Sequence, residues 1–345
     1  MADRSPLLTT RRALIGAAAA LPLLRAHSSY ADEQVVVGTW GGDYANLLRD
    51  NVEPLLKGIT VVTDIGDEDP RVAKLYAQRR LPRGSVDVAC VQAVRGNELA
   101  TSGLLEPLDA TKVPNLAHVH PFLRTDNFAP HIYSLQVLIH NPATVPNPPK
   151  TLTDLLDPKY KGKVGVGNGN YFYVMMACAL AATGDANKVD SPEARAMALK
   201  LNENGLRLYS STDAIGAGIK SGEIDVGIMW LARVHMWQGA GIPVKATFPT
   251  EGNVLYVAGM VVPKNAPNKP GAFAYLNAML EPAAQTKFAE RMGYLPTVDN
   301  DKLTGTLGEQ LALPADVKMV PPDYGVVGKL QSTTSEWWNK TMTRS

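Results

Sequence analysis

Apolar positions along this chain of 345 residues fall into two recurring patterns. Short runs rich in β-branched residues, at 34–38, 59–63 and 86–91, read as buried strands, because a strand covered on both faces loses its in–out alternation. Between them, Leu47, Leu48, Val52, Leu55 and Leu56 recur at helical spacing over residues 44–56, and residues 72–80 make a shorter helix. The alternation resumes downstream. Residues 135–139, 163–166 and 224–230 read as strands, and 171–182, 194–204, 270–280 and 282–292 as helices. Residues 254–262 are apolar over a length suited to crossing from one part of the molecule to another. Beyond residue 292 the pattern weakens into a looser tail. Strands alternating with helices predict an α/β fold: two lobes, each a mostly parallel sheet flanked by helices. The proline-rich piece at 141–150 reads as a surface connector on the second lobe.

The amino terminus departs from this pattern. Arg11-Arg12 precedes about a dozen apolar residues, whereas a bilayer span needs roughly 20. Ser29-Tyr30-Ala31 then places small residues at both positions that a signal peptidase reads. Residues 1–31 are therefore expected to be a signal peptide of twin-arginine type, cleaved after about Ala31, with export to the periplasm. A buried amphipathic helix fits poorly, because the run lacks polar positions at helical spacing. Formal net charge is +1, and Arg4, Arg11, Arg12 and Arg25 against Asp3 account for +3 of it, leaving the remainder at −2. That balance points away from nucleic acid or an anionic membrane surface as a partner, and a monomer is expected.

Reactive chemistry is sparse. G-x-S-x-G, H-E-x-x-H, C-x-x-C and Walker sequences are all missing, so no enzyme activity, cofactor or metal is expected. His118 and His120 read as solvated loop residues, and Asp67-Glu68-Asp69 before Pro70 as a helix-starting loop. Residues 165–170 resemble a phosphate loop in glycine content only. Cys90 and Cys178 sit in apolar runs and read as buried free thiols in different lobes.

Open α/β sheets bind ligands at the carboxyl ends of their strands, where helix N-termini also converge. The candidates there begin with Trp40, Gly41 and Tyr44, whose neighbouring glycines let a ligand approach the backbone. Gln92 ends the third strand, Asn170 and Tyr171 open a second-lobe helix, and Thr212 lies in a capping segment, Ser211-Thr212-Asp213. Asp213 reads as a simple N-cap. Trp230 ends a buried strand, where a large aromatic has little core left to fill.

An ordered set of motifs now resembles a known family. Residues 221–230, SGEIDVGIMW, look like the E-G-x-x-x-x-G-M-I-W block of spermidine/putrescine-binding periplasmic receptors. Residues 238–244, 250–252, 261–266 and 293–297 continue the likeness in order. Trp40 to Tyr44 resembles the family's N-W-x-x-Y, and residues 154–162 its D-L-x-x-P-x-Y-K-G. The resemblance implies a type II periplasmic-binding fold whose lobes close on a ligand by hinge bending, with lobe 1 from residues 32–137 plus 259–300 and lobe 2 from 138–258 plus 301–345. It implies delivery of a solute to the permease subunits of an ABC importer. It places Trp40, Tyr44, Trp230 and Tyr256 on the walls of the cleft.

The departures separate this chain from its best-known relatives. Ala258 stands where the family has an Asp, and Asn168, Asn170 and Tyr171 replace an acidic pair. A buried unpaired ammonium costs several kcal/mol, against about 8 kcal/mol in a whole micromolar site. Arg95 and Arg233 fall near the cleft and suit an anionic group. The expected ligand is thus a small organic solute that bears a carboxylate. A polyamine or other organic cation is the alternative. Remoter readings are a ferric-ion receptor using Tyr171 and Tyr173, and a periplasmic enzyme.

Overall fold

The structure, a computed structural model, describes residues 33–343; the twin-arginine segment and its cleavage position lie outside them. The chain begins with β1 (Glu33–Thr39), α1 (Gly42–Asn51), β2 (Ile59–Ile65), α2 (Glu68–Gln78), β3 (Val88–Gln92) and α3 (Ala93–Thr101). A 12-residue strand, β4 (Ala129–His140), leads into β5 (Val164–Gly167), α4 (Tyr171–Thr183), α5 (Pro192–Glu203) and β6 (Arg207–Tyr209). Then come α6 (Thr212–Ser221), β7 (Val226–Trp230), α7 (Leu231–Gly239) and β8 (Lys245–Thr247). The chain returns through β9 (Asn253–Val261) to α8 (Lys269–Met279), α9 (Pro282–Met292) and β10 (Leu295–Pro296), and ends with α10 (Gly305–Leu311), β11 (Met319–Val320) and α11 (Tyr324–Thr341).

The main strand order is β2-β1-β3-β9-β4-β7-β5-β6. It contains two parallel groups, β2-β1-β3 in the first lobe and β7-β5-β6 in the second. The antiparallel pair β9 and β4 joins them. Ala129 to Leu135 of β4 pairs with β9, whereas Gln136 to His140 pairs with β7, so one strand serves both groups. At about 3.3 Å per residue it runs some 40 Å.

All 12 residues of β4 are buried, yet only 135–139 carry an obvious strand pattern. The interruptions are polar residues with specific partners. His131 Nδ1 meets the Tyr44 hydroxyl at 2.7 Å, Ser134 Oγ accepts the Ala232 N–H, and Gln136 donates to the Tyr173 carbonyl. Pro130 lies at a register shift, where its missing N–H is tolerated.

Other departures have local causes. The predicted helix over 44–56 stops at Asn51, because Pro54 lacks an N–H and clashes with the carbonyl four residues back; a short 3₁₀ turn, Glu53–Leu55, follows. The predicted loose tail instead holds α10 and α11. Asp323 caps α11 by accepting from the Gly325 and Val326 N–H groups, and Val327, Thr334 and Trp338 bury one stripe of it. That stripe packs on α3 and α4. Helix α4 is apolar all round and buried from Phe172 to Leu180 against α5 and α11, as expected of a helix with no solvent face. Cys90 and Cys178 are free and buried, and burial pushes both thiols up to about 12. Among the described residues no helix is long and apolar enough to cross a membrane.

Candidate functional site

The carboxyl ends of β3 and β7 face each other across a cavity of about 670 Å³. Helix starts converge on it. Asp67, Gln92, Asn170 and Trp230 are the residues immediately before α2, α3, α4 and α7, and Thr212 opens α6. All five line the cavity, which therefore receives the positive ends of helix dipoles from both lobes. Capping of α6 falls to Ser211, whose Oγ accepts the Ala214 N–H; Asp213 is not the cap.

Four aromatic rings form one continuous wall. The Trp230 ring centroid lies 4.7 Å from that of Tyr173, edge-on, and 4.8 Å from that of Tyr256. Tyr256 in turn stacks on Tyr294 at 6.2 Å. Burial raises the hydroxyl pKa of Tyr173, Tyr256 and Tyr294, so these groups meet a ligand as neutral phenols. Such faces attract a cation through the ring quadrupole, by about 0.5–2 kcal/mol per contact.

Opposite charges sit around this wall. Glu68, in the first turn of α2, accepts the Gln92 backbone N–H at 2.7 Å and its side-chain amide at 3.0 Å. Burial raises the Glu68 carboxyl pKa, while the Gln92 N–H, Arg95 and Arg71 oppose that rise. Arg95 is already engaged, 2.8 Å from both Asp69 and Glu98. Arg233, in the first turn of α7, has no carboxylate within 4.0 Å among the described residues; its guanidinium hydrogen-bonds Met236 Sδ at 3.4 Å. The cavity thus offers one guanidinium, Arg233, and two carboxylates, Asp67 and Glu68, that are not paired to another side-chain charge among the described residues; of these two, Glu68 is the one held in place, by Gln92.

Gln92, Arg95, Asn170, Tyr171, Thr212, Trp230, Arg233 and Tyr256 are all brought together here. Trp40, Gly41 and Tyr44 are not among its lining residues. Tyr44 is 4% exposed and belongs to the first-lobe core, packed edge-on beneath Trp40 and against Phe288. Its hydroxyl pairs with His131 Nδ1 and accepts from Cys90 Sγ at 3.4 Å. Burial holds His131 near pKa 3, so its ring is neutral. A side chain at Gly41 would meet Ile65 Cγ2 at 3.1 Å, so this glycine admits a neighbouring strand rather than a ligand. Trp40 stands half-buried over the Arg71 guanidinium, 5.8 Å from the ring centroid. Arg71, only 5% exposed, donates to the Cys90 and Gly66 carbonyls and so fixes the approach to α2 against β3.

Several lining residues carry little sequence signal. Glu68 hides in an acidic triplet that resembles a helix start, and it is one. Tyr173 sits inside an apolar helix. Tyr294 lies in the quoted Gly293-Tyr294-Leu295-Pro296-Thr297 motif, but nothing there points to the cleft. Gln331 comes from α11, where no helix is predicted. A second hollow of about 610 Å³ lies around Asp43, His235 and Arg291, but Asp43 and Arg291 neutralise each other there at 3.2 Å.

Known proteins resemble this arrangement over most of its length. Residues 56–314 match the family model described as bacterial extracellular solute-binding protein. A spermidine/putrescine-binding periplasmic protein of Haemophilus influenzae is 26% identical over 305 residues, covering 85% of this chain and 81% of its own. A solved structure of a GABA receptor superposes with a TM-score of 0.78 at 22% identity, covering 89% of this chain and 97% of its own. A spermidine/putrescine ABC transporter substrate-binding protein from Streptococcus pneumoniae superposes with a TM-score of 0.70 at 20% identity, covering 90% and 99%. These likenesses match the two-lobed fold expected from the motifs.

Proposed function

The chain belongs to the bacterial extracellular solute-binding proteins, receptors of ABC transporters, and from that premise we propose that its ligand is a small zwitterion with an amine at one end and a carboxylate at the other. One observation carries this reading: Glu68 and Arg233, of opposite charge and neither in a side-chain ion pair, line the same cavity. The ammonium lies against the Trp230–Tyr256 faces with Glu68 as its counter-ion. The carboxylate meets Arg233, whose planar fork suits bidentate pairing, and the converging helix starts add to its stabilisation.

The reading also accounts for the departures from the polyamine receptors. Ala258 and Asn170 remove acids that a second ammonium needs, and a diamine would bring its far end to Arg233. Like charges held there cost several kcal/mol of the roughly 8 kcal/mol in a micromolar site. A diamine is the second reading, favoured by the cluster Asp67, Glu68 and Asp69 at the cavity's edge.

Capture is accompanied by hinge bending of lobe 1 (32–137 plus 259–300) against lobe 2 (138–258 plus 301–345), with β4 and β9 as the crossing strands. The receptor works as a periplasmic monomer, exported through its twin-arginine leader, and hands an unaltered solute to permease subunits without turnover. The test is a thermal-shift series of ω-amino acids, diamines and dicarboxylates of matched length. Stabilisation by ω-amino acids alone supports the proposal, and stabilisation by putrescine alone overturns it.

A further inference from the structure

At the far end of α2 from Glu68, about 16 Å along the helix axis, the chain turns back to β3 through an arch with an unusual display. Arg79, Arg80, Leu81 and Arg83 are all exposed, with Leu81 at 50%. Lys264 projects beside them from the turn after β9, and a hollow of about 260 Å³ lies between the two segments. None of the four cations has a carboxylate within 4.0 Å among the described residues. They concentrate positive charge on a chain whose remainder beyond the leader carries −2.

The arch is held rather than loose. Leu81 N–H donates to the Gln78 carbonyl at 2.9 Å, and Gly84 N–H to the Asn265 carbonyl at 2.7 Å. Asn265 Nδ2 donates to the Gln78 and Leu81 carbonyls, and Gln78 exchanges hydrogen bonds with Ser85. An exposed leucine is therefore fixed at the tip of a ring of cations. A small dissolved anion fits the hollow poorly, because α2 and α3 both end there and direct their carbonyls toward it. A planar anionic surface meets the exposed cations instead, with Arg79 Nη1 also donating to the Tyr76 carbonyl, and gives Leu81 an apolar layer to enter.

We propose that this arch is a docking surface for anionic phospholipid, holding the receptor on a membrane with its cleft, at the other end of α2, left open. The test is co-sedimentation of the purified full chain with phosphatidylcholine vesicles, with and without phosphatidylglycerol. Each cation at such a surface is worth about fivefold in partitioning. The expected result is binding to the anionic vesicles only, falling with salt, and about 30-fold weaker for Arg79→Ala/Arg80→Ala. Residues 1–31 are common to both proteins, so the ratio isolates the arch. The pair Arg83→Glu/Lys264→Glu repeats the test if the first variant does not fold, as judged by its circular dichroism melt. Equal binding to both vesicle types, unchanged binding by either folded variant, or competition by millimolar inorganic phosphate at constant ionic strength overturns the proposal.

Discussion

The Glu68 carboxylate is held at Gln92 by two hydrogen bonds, one from the backbone N–H at 2.7 Å and one from the side-chain amide at 3.0 Å. Gln92 ends β3 and starts α3, so this pairing fixes the start of one helix against another at the cavity's edge. Neither contact is an ion pair. The charge on Glu68 thus remains available to a ligand.

Ligand binding follows from the direction of the Glu68 shift. Burial raises its pKa above the ordinary carboxylate value, so the free receptor takes up a proton at a less acidic pH than a solvated glutamate does. An ammonium needs the ionised form. Affinity for an amine-bearing ligand should therefore fall as pH drops through that raised pKa. Glu68→Gln should weaken binding about 10- to 100-fold, the worth of a charged hydrogen bond, and flatten the pH profile. Titration calorimetry between pH 4 and 8 checks both outcomes.

Stability has its own pH dependence through His131. Its folded-state pKa of about 3 lies far below the ordinary 6.5. The unfolded chain takes up a proton that the folded chain refuses. The contribution is complete above pH 6.5 and is lost as pH falls toward 3, by up to about 1.4 kcal/mol per unit. Urea unfolding across that window should show a shallower acid loss for His131→Gln than for the parent protein.

The end of α11 is anchored by Trp338, fully buried, whose indole N–H donates to Asn168 Oδ1 at 2.8 Å. Trp338→Ala should cost about 3–5 kcal/mol in unfolding free energy. Trp338→Phe keeps an aromatic ring but removes the hydrogen bond to the half-buried Asn168 amide, at about 0.5–1.5 kcal/mol. Denaturant midpoints at constant m-value measure both.

Both thiols should be silent in the native protein. Cys90 and Cys178 are fully buried and their pKa values stand near 12, which suppresses the thiolate. Ellman's reagent should report no thiol before unfolding and two in concentrated guanidinium. One fast native thiol would contradict the packing around Tyr44 or within α4.

Much of the architecture is legible in the pattern of apolar residues, because β1, β3 and β7 are β-branched runs buried on both faces. Strand β4 is only half legible, since His131, Ser134 and Gln136 are buried polar residues whose partners lie far away in sequence. Helix α11 is illegible for a related reason: its buried stripe includes Thr334, and its packing on α3 and α4 rather than its own periodicity holds it. The cleft follows the same division. Trp230 announces itself at a strand end. Tyr44 carries the motif of a ligand residue yet fills the core beneath Trp40, because its hydroxyl is matched by His131. Glu68 reads as a helix start, and only the convergence of α2 on β3 turns it into a charge facing a cavity.

The most direct test of the zwitterion reading is a calorimetric comparison of 4-aminobutanoate, putrescine and succinate against the parent receptor and Arg233→Gln. The account predicts that the parent binds the amino acid and neither symmetric compound with comparable affinity, and that Arg233→Gln loses the amino acid by about 10- to 100-fold. Tight putrescine binding that persists in Arg233→Gln, with no response to the amino acid, would contradict it.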